Sequence, residues 1–489
     1  MEQTAKKILF VGAEAMPFAA TGGLGDVLGS LPCALKEAAK DGVDVRLVIP
    51  LYDAIGEQFR RQMKEEAVFT VALAWRNQYC GVYSLVHRGV TCYFIDNEYY
   101  FKRGALYGQY DDGERYAYFC KAVMEMLRQI DWYPDILHAH DWQSALSVVY
   151  LKTRYASDPA YAGIRSVFTI HNIEYQGKYS FSILGDVFEL GAEQYTLMQY
   201  DGCINLMKGA IVCADRVSTV SPRYAEEIRT PAYSHKLFYI LNDCAGKLCG
   251  ILNGIDTDYY NPATDPVLAQ KYDLTTFPEG KTANKLALQR ELGLPERADV
   301  PMLAVISRLA AHKGVDLIST IGERLMREQD VQFVILGKGE PQYEEFFRWL
   351  ERTFPDRVRA LIAYDRDLSR RIYAAADLFL MPSRSEPCGL SQMIASRYGA
   401  VPVVRETGGL YDSIKGYWIR DGEVMGNGFT FSDYSADQLM ERTCAALALY
   451  RDRDAFDALV KKIMQIDFSW QVSAMQYLRM YDALTGGAE

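Results

Sequence analysis

The chain has 489 residues, 49% of them hydrophobic and 24% charged, and a formal net charge of −10. That length calls for two or three globular domains rather than one core. No apolar run reaches the ~18 residues of a membrane span, and the acidic balance speaks against a general nucleic-acid binder.

The opening Met1–Lys7 leads straight into the apolar Ile8–Gly12, too short for a secretory core, so a cytoplasmic chain is expected. Ten scattered cysteines form no C-x-x-C, and the six histidines include no H-E-x-x-H. Free thiols and no metal site are therefore expected.

Lys7–Ala13 reads as a short apolar strand, followed by the glycine-rich turn Thr21–Gly25. Asp26–Lys40 reads as a helix with Val27, Leu28, Leu31, Ala34, Leu35 and Ala38 on one face; Gly42 stops it, and Val43–Pro50 is the next strand. Such a βαβ unit implies a parallel sheet covered on both faces. Asn97–Phe119 is dense in aromatic residues, about half of them expected in the core and the rest free to stack on sugar rings.

Asp135–His140, Ser166–His171 and Arg216–Val220 are further strands, the last closed by the turn Ser221-Pro222. A polar stretch, Asn261–Lys285, then precedes a second alternating region. Its strands are Met302–Ile306, Gln332–Leu336, Val358–Ile362, Leu378–Met381 and Val401–Val404. Its helices lie near Gly314–Arg327, Tyr343–Arg352, Leu368–Ala375 and Leu390–Tyr398. Phe468–Leu484 has the spacing of an amphipathic helix, crossing back to the first domain or lying on its own. The reading is an α/β chain of two doubly wound, Rossmann-like domains, residues 1–250 and 251–465, with a closing helix in 466–489. Ligands of such sheets bind beyond the carboxyl ends of the strands, so the polar residues there are expected to meet in a cleft between the two domains.

Several motifs occupy those ends. Gly22-Gly23-Leu24-Gly25-Asp26 lets backbone approach a ligand, or is only a turn. His138-Ala139-His140-Asp141-Trp142-Gln143 and Thr169-Ile170-His171-Asn172 hold half of the histidines, as pocket groups or as hydrogen-bonded core. Ser307–Gly314 carries Arg308 and Lys313, which can reach an anion or stand as solvated charges. In Pro382–Gln392, Glu386 can accept from sugar hydroxyls, while the amides of Cys388, Gly389 and Leu390 can hold a phosphate or hydroxyl and the Cys388 thiol is a spacer. Glu406-Thr407-Gly408-Gly409-Leu410 repeats the device with a hydroxyl and glycine amides.

Together these stretches resemble the bacterial glycogen synthase and plant starch synthase family, over nearly the whole chain and in order. The resemblance is carried by Thr21–Val27, His138–Gln143, Thr169–Gly177 (T-I-H-N-I-E-Y-Q-G), Asn205–Ile211, Gly250–Asp256 (G-I-L-N-G-I-D), Ser307–Gly314 and Pro382–Gln392. It implies the GT-B glycosyltransferase fold, with the first domain on the acceptor and glucose side and the second binding the nucleotide sugar. It implies an ADP-glucose donor (UDP-glucose the alternative), an acceptor 4-hydroxyl at the non-reducing end of glycogen or another α-1,4-glucan, retention of the α configuration, and no cofactor, metal, nucleic-acid or membrane partner. By the same resemblance, Arg308 and Lys313 stabilise the leaving diphosphate and His171 stands beside the donor glucose. Glu386, with the Cys388–Gly389–Leu390 backbone, clamps that glucose, and Tyr364 stacks on the adenine. Gly22, Gly23, Asp26, Asp141, Asn172, Asn253 and the Thr407–Gly408–Gly409 turn are further donor and sugar contacts.

Two departures from the family pattern stand out. Ala20 replaces the lysine usual before T-G-G-L, and Tyr233-Ser234-His235-Lys236-Leu237 replaces Y-G-x-G-L. The first leaves open a weakly active or non-catalytic glucan-binding relative. A GT-B enzyme with another acceptor, or a phosphorylase carrying pyridoxal phosphate, is the remaining alternative.

Overall fold

The computed structural model describes residues 5–420 and 423–486. The chain divides into two compact units: residues up to Asn253 with those from Trp470, and Gly254–Ser469. The sequence reading puts these breaks at 250/251 and 465/466.

The first unit is built on β1 (Lys6–Val11), β2 (Val43–Pro50), β3 (Lys64–Leu73), β4 (Arg76–His87), β5 (Val90–Asp96), β6 (Ile136–His140) and β7 (Arg165–Ile170). A short separate sheet, β8 (Lys178–Tyr179), β9 (Gln199–Tyr200) and β10 (Cys203–Asn205), precedes β11 (Arg216–Thr219) and β12 (Leu248–Gly250). The nine-stranded order is β12-β11-β7-β6-β1-β2-β5-β4-β3. Ile8, Leu9, Phe10 and Val11 are fully buried, which is why this strand reads as a continuous apolar run. The helix Gly23–Ala39 buries Leu24, Val27, Leu28, Leu31 and Leu35, one stripe at helical spacing. β3 and β4 are antiparallel additions at the sheet edge whose mixed exposure gives no continuous apolar run in the sequence.

The C-terminal helix, Trp470–Thr485, packs against Gly23–Ala39 within this unit and buries Trp470, Ala474, Tyr477 and Tyr481. The aromatic stretch divides: Tyr100, Phe101, Tyr116, Tyr118 and Phe119 are core, and Tyr99 and Tyr110 are exposed.

The second unit holds β13 (Met302–Ile306), β14 (Gln332–Leu336), β15 (Val358–Leu361), β16 (Leu378–Met381) and β17 (Val401–Arg405). The pair β18 (Trp418–Arg420) and β19 (Glu423–Met425) lies outside the main sheet, and β20 (Phe429–Phe431) closes it. The main order is β15-β14-β13-β16-β17-β20, all parallel.

Each of the two main sheets has a point between neighbouring parallel strands where the chain resumes on the other side of the sheet's first strand. The chain leaves β1 for β2 on one side and returns with β6 on the other; it leaves β13 for β14 and returns with β16. Connections at such a point depart toward opposite faces, and the loops at the carboxyl ends diverge to leave a crevice.

From Phe277 the polar stretch Asn261–Lys285 enters the helix Phe277–Glu291, which buries Lys281 and Lys285. Their polarity is internal. Lys281 Nζ donates to the carbonyls of Ala374 (3.0 Å), Ala376 (2.8 Å) and Tyr398 (3.0 Å). Burial pulls its pKa down to about 7, while three acceptors match the three hydrogens of the ammonium and hold the charged form. Lys285 Nζ lies 2.6 Å from the Asp377 carboxylate and donates to Tyr450 Oη at 3.0 Å. Asp377 in turn accepts from the Met302 amide at 2.7 Å, tying the helix to the start of β13.

Removing one partner of a buried pair leaves an uncompensated charge. Lys285→Met is expected to lower the unfolding free energy by about 3–5 kcal/mol, with partial recovery in Lys285→Met/Asp377→Asn. Urea denaturation checks this; a single-variant loss under ~1 kcal/mol, the value of a surface pair, would contradict it.

Candidate active site

In the first unit the residues around the β1/β6 switch point are polar and deeply set. The loop after β1 carries Glu14, 4% exposed, whose carboxylate accepts from the backbone amide of Thr21 and from its hydroxyl at 3.0 Å. Burial raises the Glu14 pKa. Gly22 and Gly23 follow, exposed, with nothing within 4 Å of an added Cβ on either. Asp26 stands in the first turn of the helix. Ala20 is exposed, so no packing explains the missing lysine.

β6 ends at His140, and Asp141 turns the chain with φ at +57°. Its carboxylate accepts from the amide of His171 at 2.7 Å, with the amide of Asn172 at 3.5 Å. Burial pushes the Asp141 carboxyl up to about 7, opposed by those two amides. His171 is the first residue beyond β7, its Nε2 2.9 Å from His140 Nδ1. Burial pulls His171 down to about 3 and holds His140 and His138 well below the usual imidazole value, so the cluster is neutral. His138 lies behind it, with Nδ1 2.7 Å from Tyr481 Oη and Nε2 2.6 Å from Thr169 Oγ1. The Asn253 side chain is buried, and its Oδ1 has no hydrogen-bond partner.

In the second unit the loops after β13 and β16 meet at their own switch point. Lys313 Nζ donates to both oxygens of Glu386, at 2.8 and 2.7 Å, and Ser383 Oγ donates to the same carboxylate at 2.9 Å. The Arg384 amide donates to the His312 carbonyl at 2.9 Å and joins the loops. Gly314 has φ +74°, and a Cβ there would stand 2.1 Å from the Pro382 carbonyl oxygen. A side chain at this position would force the loops apart. Thr407–Gly409 closes over the back: the Gly409 amide donates to the carbonyls of Glu386 (3.1 Å) and Pro387 (3.2 Å), and Gly408 has φ +44°.

The sequence motifs thus fall into two sets. Asp141, His171 and Asn172 are joined in one unit; Lys313, Glu386, Gly408 and Gly409 in the other. Cys388 is buried beside them, with Gly389 (φ +72°) and Leu390 half-buried. Arg308 is exposed on the loop after β13, and no hydrogen bond or ion pair joins it to Lys313 or Glu386. Tyr364 is 84% exposed beyond β15, an uncovered ring face. Glu14, Ser383, and His140 as the partner of His171 are additions; the signal for Glu14 is a lone acid in the apolar run Val11–Ala15. Among the described residues no group of three or more His, Cys, Asp or Glu is placed to hold a metal ion.

Residues 7–243 match the family described as starch synthase catalytic domain, and residues 291–462 that described as glycosyl transferases group 1. The chain is 46% identical over 484 residues to a glycogen synthase of Anoxybacillus flavithermus, covering 99% of each chain. The chain belongs to the glycogen and starch synthase family. A second family member, the glycogen synthase of Geobacillus stearothermophilus, is 45% identical over 480 residues, 98% of each chain. The catalytic domain of starch synthase IV from Arabidopsis thaliana, solved bound to ADP and acarbose, matches with a TM-score of 0.90 at 37% identity, covering 99% of this chain and 100% of that one. Sucrose-phosphate synthase from Thermosynechococcus elongatus, at 17% identity and a TM-score of 0.61, shares the GT-B fold alone.

One departure from the family pattern now has a local consequence. His235 and Lys236 both adopt positive φ, +46° and +79°. At Lys236, where the family pattern has glycine, a side chain bears the strain of the left-handed conformation.

The Asp141 carboxyl binds its proton more tightly folded (about 7) than at its ordinary 3.8. The folded state therefore holds more protons between those values, and this group's contribution to stability falls as pH rises through the window. Asparagine accepts the same amides and tolerates the positive φ. Asp141→Asn is expected to remove that contribution to the slope of unfolding free energy against pH, in urea titrations at stepped pH; an unchanged slope would place the proton elsewhere.

Proposed function

We propose that the chain transfers glucose from ADP-glucose to the non-reducing 4-hydroxyl of an α-1,4-glucan such as glycogen, with retention of the α configuration. The observation that carries this reading is the Lys313–Glu386 pair at the switch point of the second unit, in a member of the glycogen and starch synthase family. The ADP and acarbose bound by the Arabidopsis enzyme support an adenine nucleotide donor. The reading includes no resident cofactor or metal and a cytoplasmic setting, and among the described residues no helix is long and apolar enough to cross a membrane.

In the proposed reaction the bond from glucose C1 to the diphosphate oxygen breaks, and a bond from C1 to the acceptor O4 forms on the same face. A donor phosphate oxygen takes the acceptor proton, and ADP leaves. Negative charge grows on the diphosphate, where fixed cations lower the barrier most. Lys313 is already oriented by Glu386 and Ser383, so little reorganisation is needed when the charge develops. Arg308, exposed and not paired with Glu386, supplies a second cation. Glu386 keeps lone pairs for sugar hydroxyls, and the amides of Cys388, Gly389 and Leu390 serve oxygen ligands. The Tyr364 ring stacks on the adenine. In the first unit His171, Asp141, Asn172 and Asn253 offer hydrogen-bonding groups to glucose.

A weaker version of this enzyme is the second reading, favoured by Ala20. Lys313→Ala is expected to lower kcat with ADP-glucose and glycogen by about 10²–10³-fold, and Arg308→Ala in the same direction. Near wild-type turnover in both would sink the diphosphate role. Ala20→Lys is expected to raise kcat/KM by about 10- to 100-fold, the value of one charge-assisted contact. Side-by-side assays with ADP-glucose and UDP-glucose read these variants and the donor preference.

A further inference from the structure

His138 has a partner on each ring nitrogen, whereas His140 has one: Nδ1 faces His171 Nε2 at 2.9 Å, and Nε2 is buried with no partner. The His140 ring is fixed in place, stacked on Phe10 at 5.3 Å and 19°. Its backbone is gripped by Ser144 Oγ, which accepts from the His140 amide at 2.6 Å and donates to its carbonyl at 2.7 Å. Both imidazoles are neutral, so a single hydrogen lies between the two facing nitrogens.

That hydrogen has two placements. If His171 Nε2 donates, His140 must carry its own hydrogen on Nε2, a buried N–H with no acceptor. If His140 Nδ1 donates, its Nε2 keeps only an unused lone pair. Orphaned buried N–H groups are the rarer and costlier defect, so the second placement holds. His171 then accepts at Nε2 and carries its hydrogen on Nδ1.

We propose that His140 is a positioning residue that holds His171 in the Nδ1–H tautomer, so that His171 offers a donor, not an acceptor, to a glucose oxygen. This deepens the proposed glucosyl transfer and rests on that reading for its kinetic consequence alone. An unrestrained imidazole favours the opposite Nε2–H form, so without His140 the wrong group faces the sugar.

The test combines ring-nitrogen NMR of the full chain labelled with 15N-histidine and steady-state kinetics of His140→Asn and His140→Leu. In asparagine the amide nitrogen takes the place of Nδ1 and keeps the donor. Expected are a pyrrole-like Nδ1 and a pyridine-like Nε2 at His171 in the wild type and His140→Asn, and loss of that pattern in His140→Leu. His140→Leu should lose roughly 100-fold in kcat, the scale of a misplaced group, with KM for ADP-glucose moving far less, and His140→Asn should recover most of it. A pyrrole-like Nε2 at His171 in the wild type overturns the proposal, as does an asparagine variant no better than leucine or a leucine variant with wild-type kcat. Should His140→Leu fail to fold, the wild-type spectrum and the asparagine variant decide. A wild-type chain without glucosyl transfer would sink the functional reading, and the nitrogen shifts would still decide the tautomer.

Discussion

The reversal of strand order in a parallel sheet is the constraint on which the rest depends. A sheet that grows outward in one direction and then resumes on the other side of its first strand must send neighbouring connections to opposite faces. Here this happens once in each main sheet, at β1/β6 and at β13/β16. Most motifs that carry the family likeness, from the glycine turn to Pro382–Gln392, lie at the ends of one of these strands or its neighbour; Asn205–Ile211 and Gly250–Asp256 follow β10 and β12 instead. Glycines at 314 and 408 follow from the same constraint, because the loops there approach backbone to backbone within the reach of a Cβ.

The two units meet this constraint with opposite electrostatics. Around β1/β6 the groups are buried: imidazoles held below their usual pKa and carboxyls raised above theirs, so burial disfavours charge on both. Such a surface can exchange hydrogen bonds with uncharged hydroxyls at little desolvation cost. Around β13/β16 Lys313 and Glu386 form an oriented, only partly exposed ion pair. That arrangement suits a partner whose own charge changes during reaction. A sugar on one hand and a diphosphate on the other are the ligands proposed for these two environments.

Much of this was legible in the residues. β2, β13, β14 and β16 have the bounds read from the sequence; β13 and β16 are wholly apolar, as strands covered on both faces are, while β2 keeps its bounds with Asp44 and Arg46 half-buried inside it. β3 and β4 escaped, since an edge hairpin exposes alternate residues and resembles a loop. The helix Phe277–Glu291 escaped for a different reason: composition counts Lys281 and Lys285 as polar but cannot see the carbonyls and the Asp377 carboxylate that absorb them. At the site, residue types and loops were legible, and pairings were not. Glu386 and Lys313, or His140 and His171, are far apart in the chain, and only the sheet order brings them to hydrogen-bond distance.

The central claim, that the switch-point loops of the second unit hold a nucleoside diphosphate, is tested most directly by amide hydrogen exchange with and without ADP. The account predicts protection concentrated in Ser307–Gly314, Pro382–Gln392 and Glu406–Leu410, at the carboxyl ends of β13, β16 and β17. Unchanged exchange in those three loops, with protection at the opposite ends of the same strands, would contradict it.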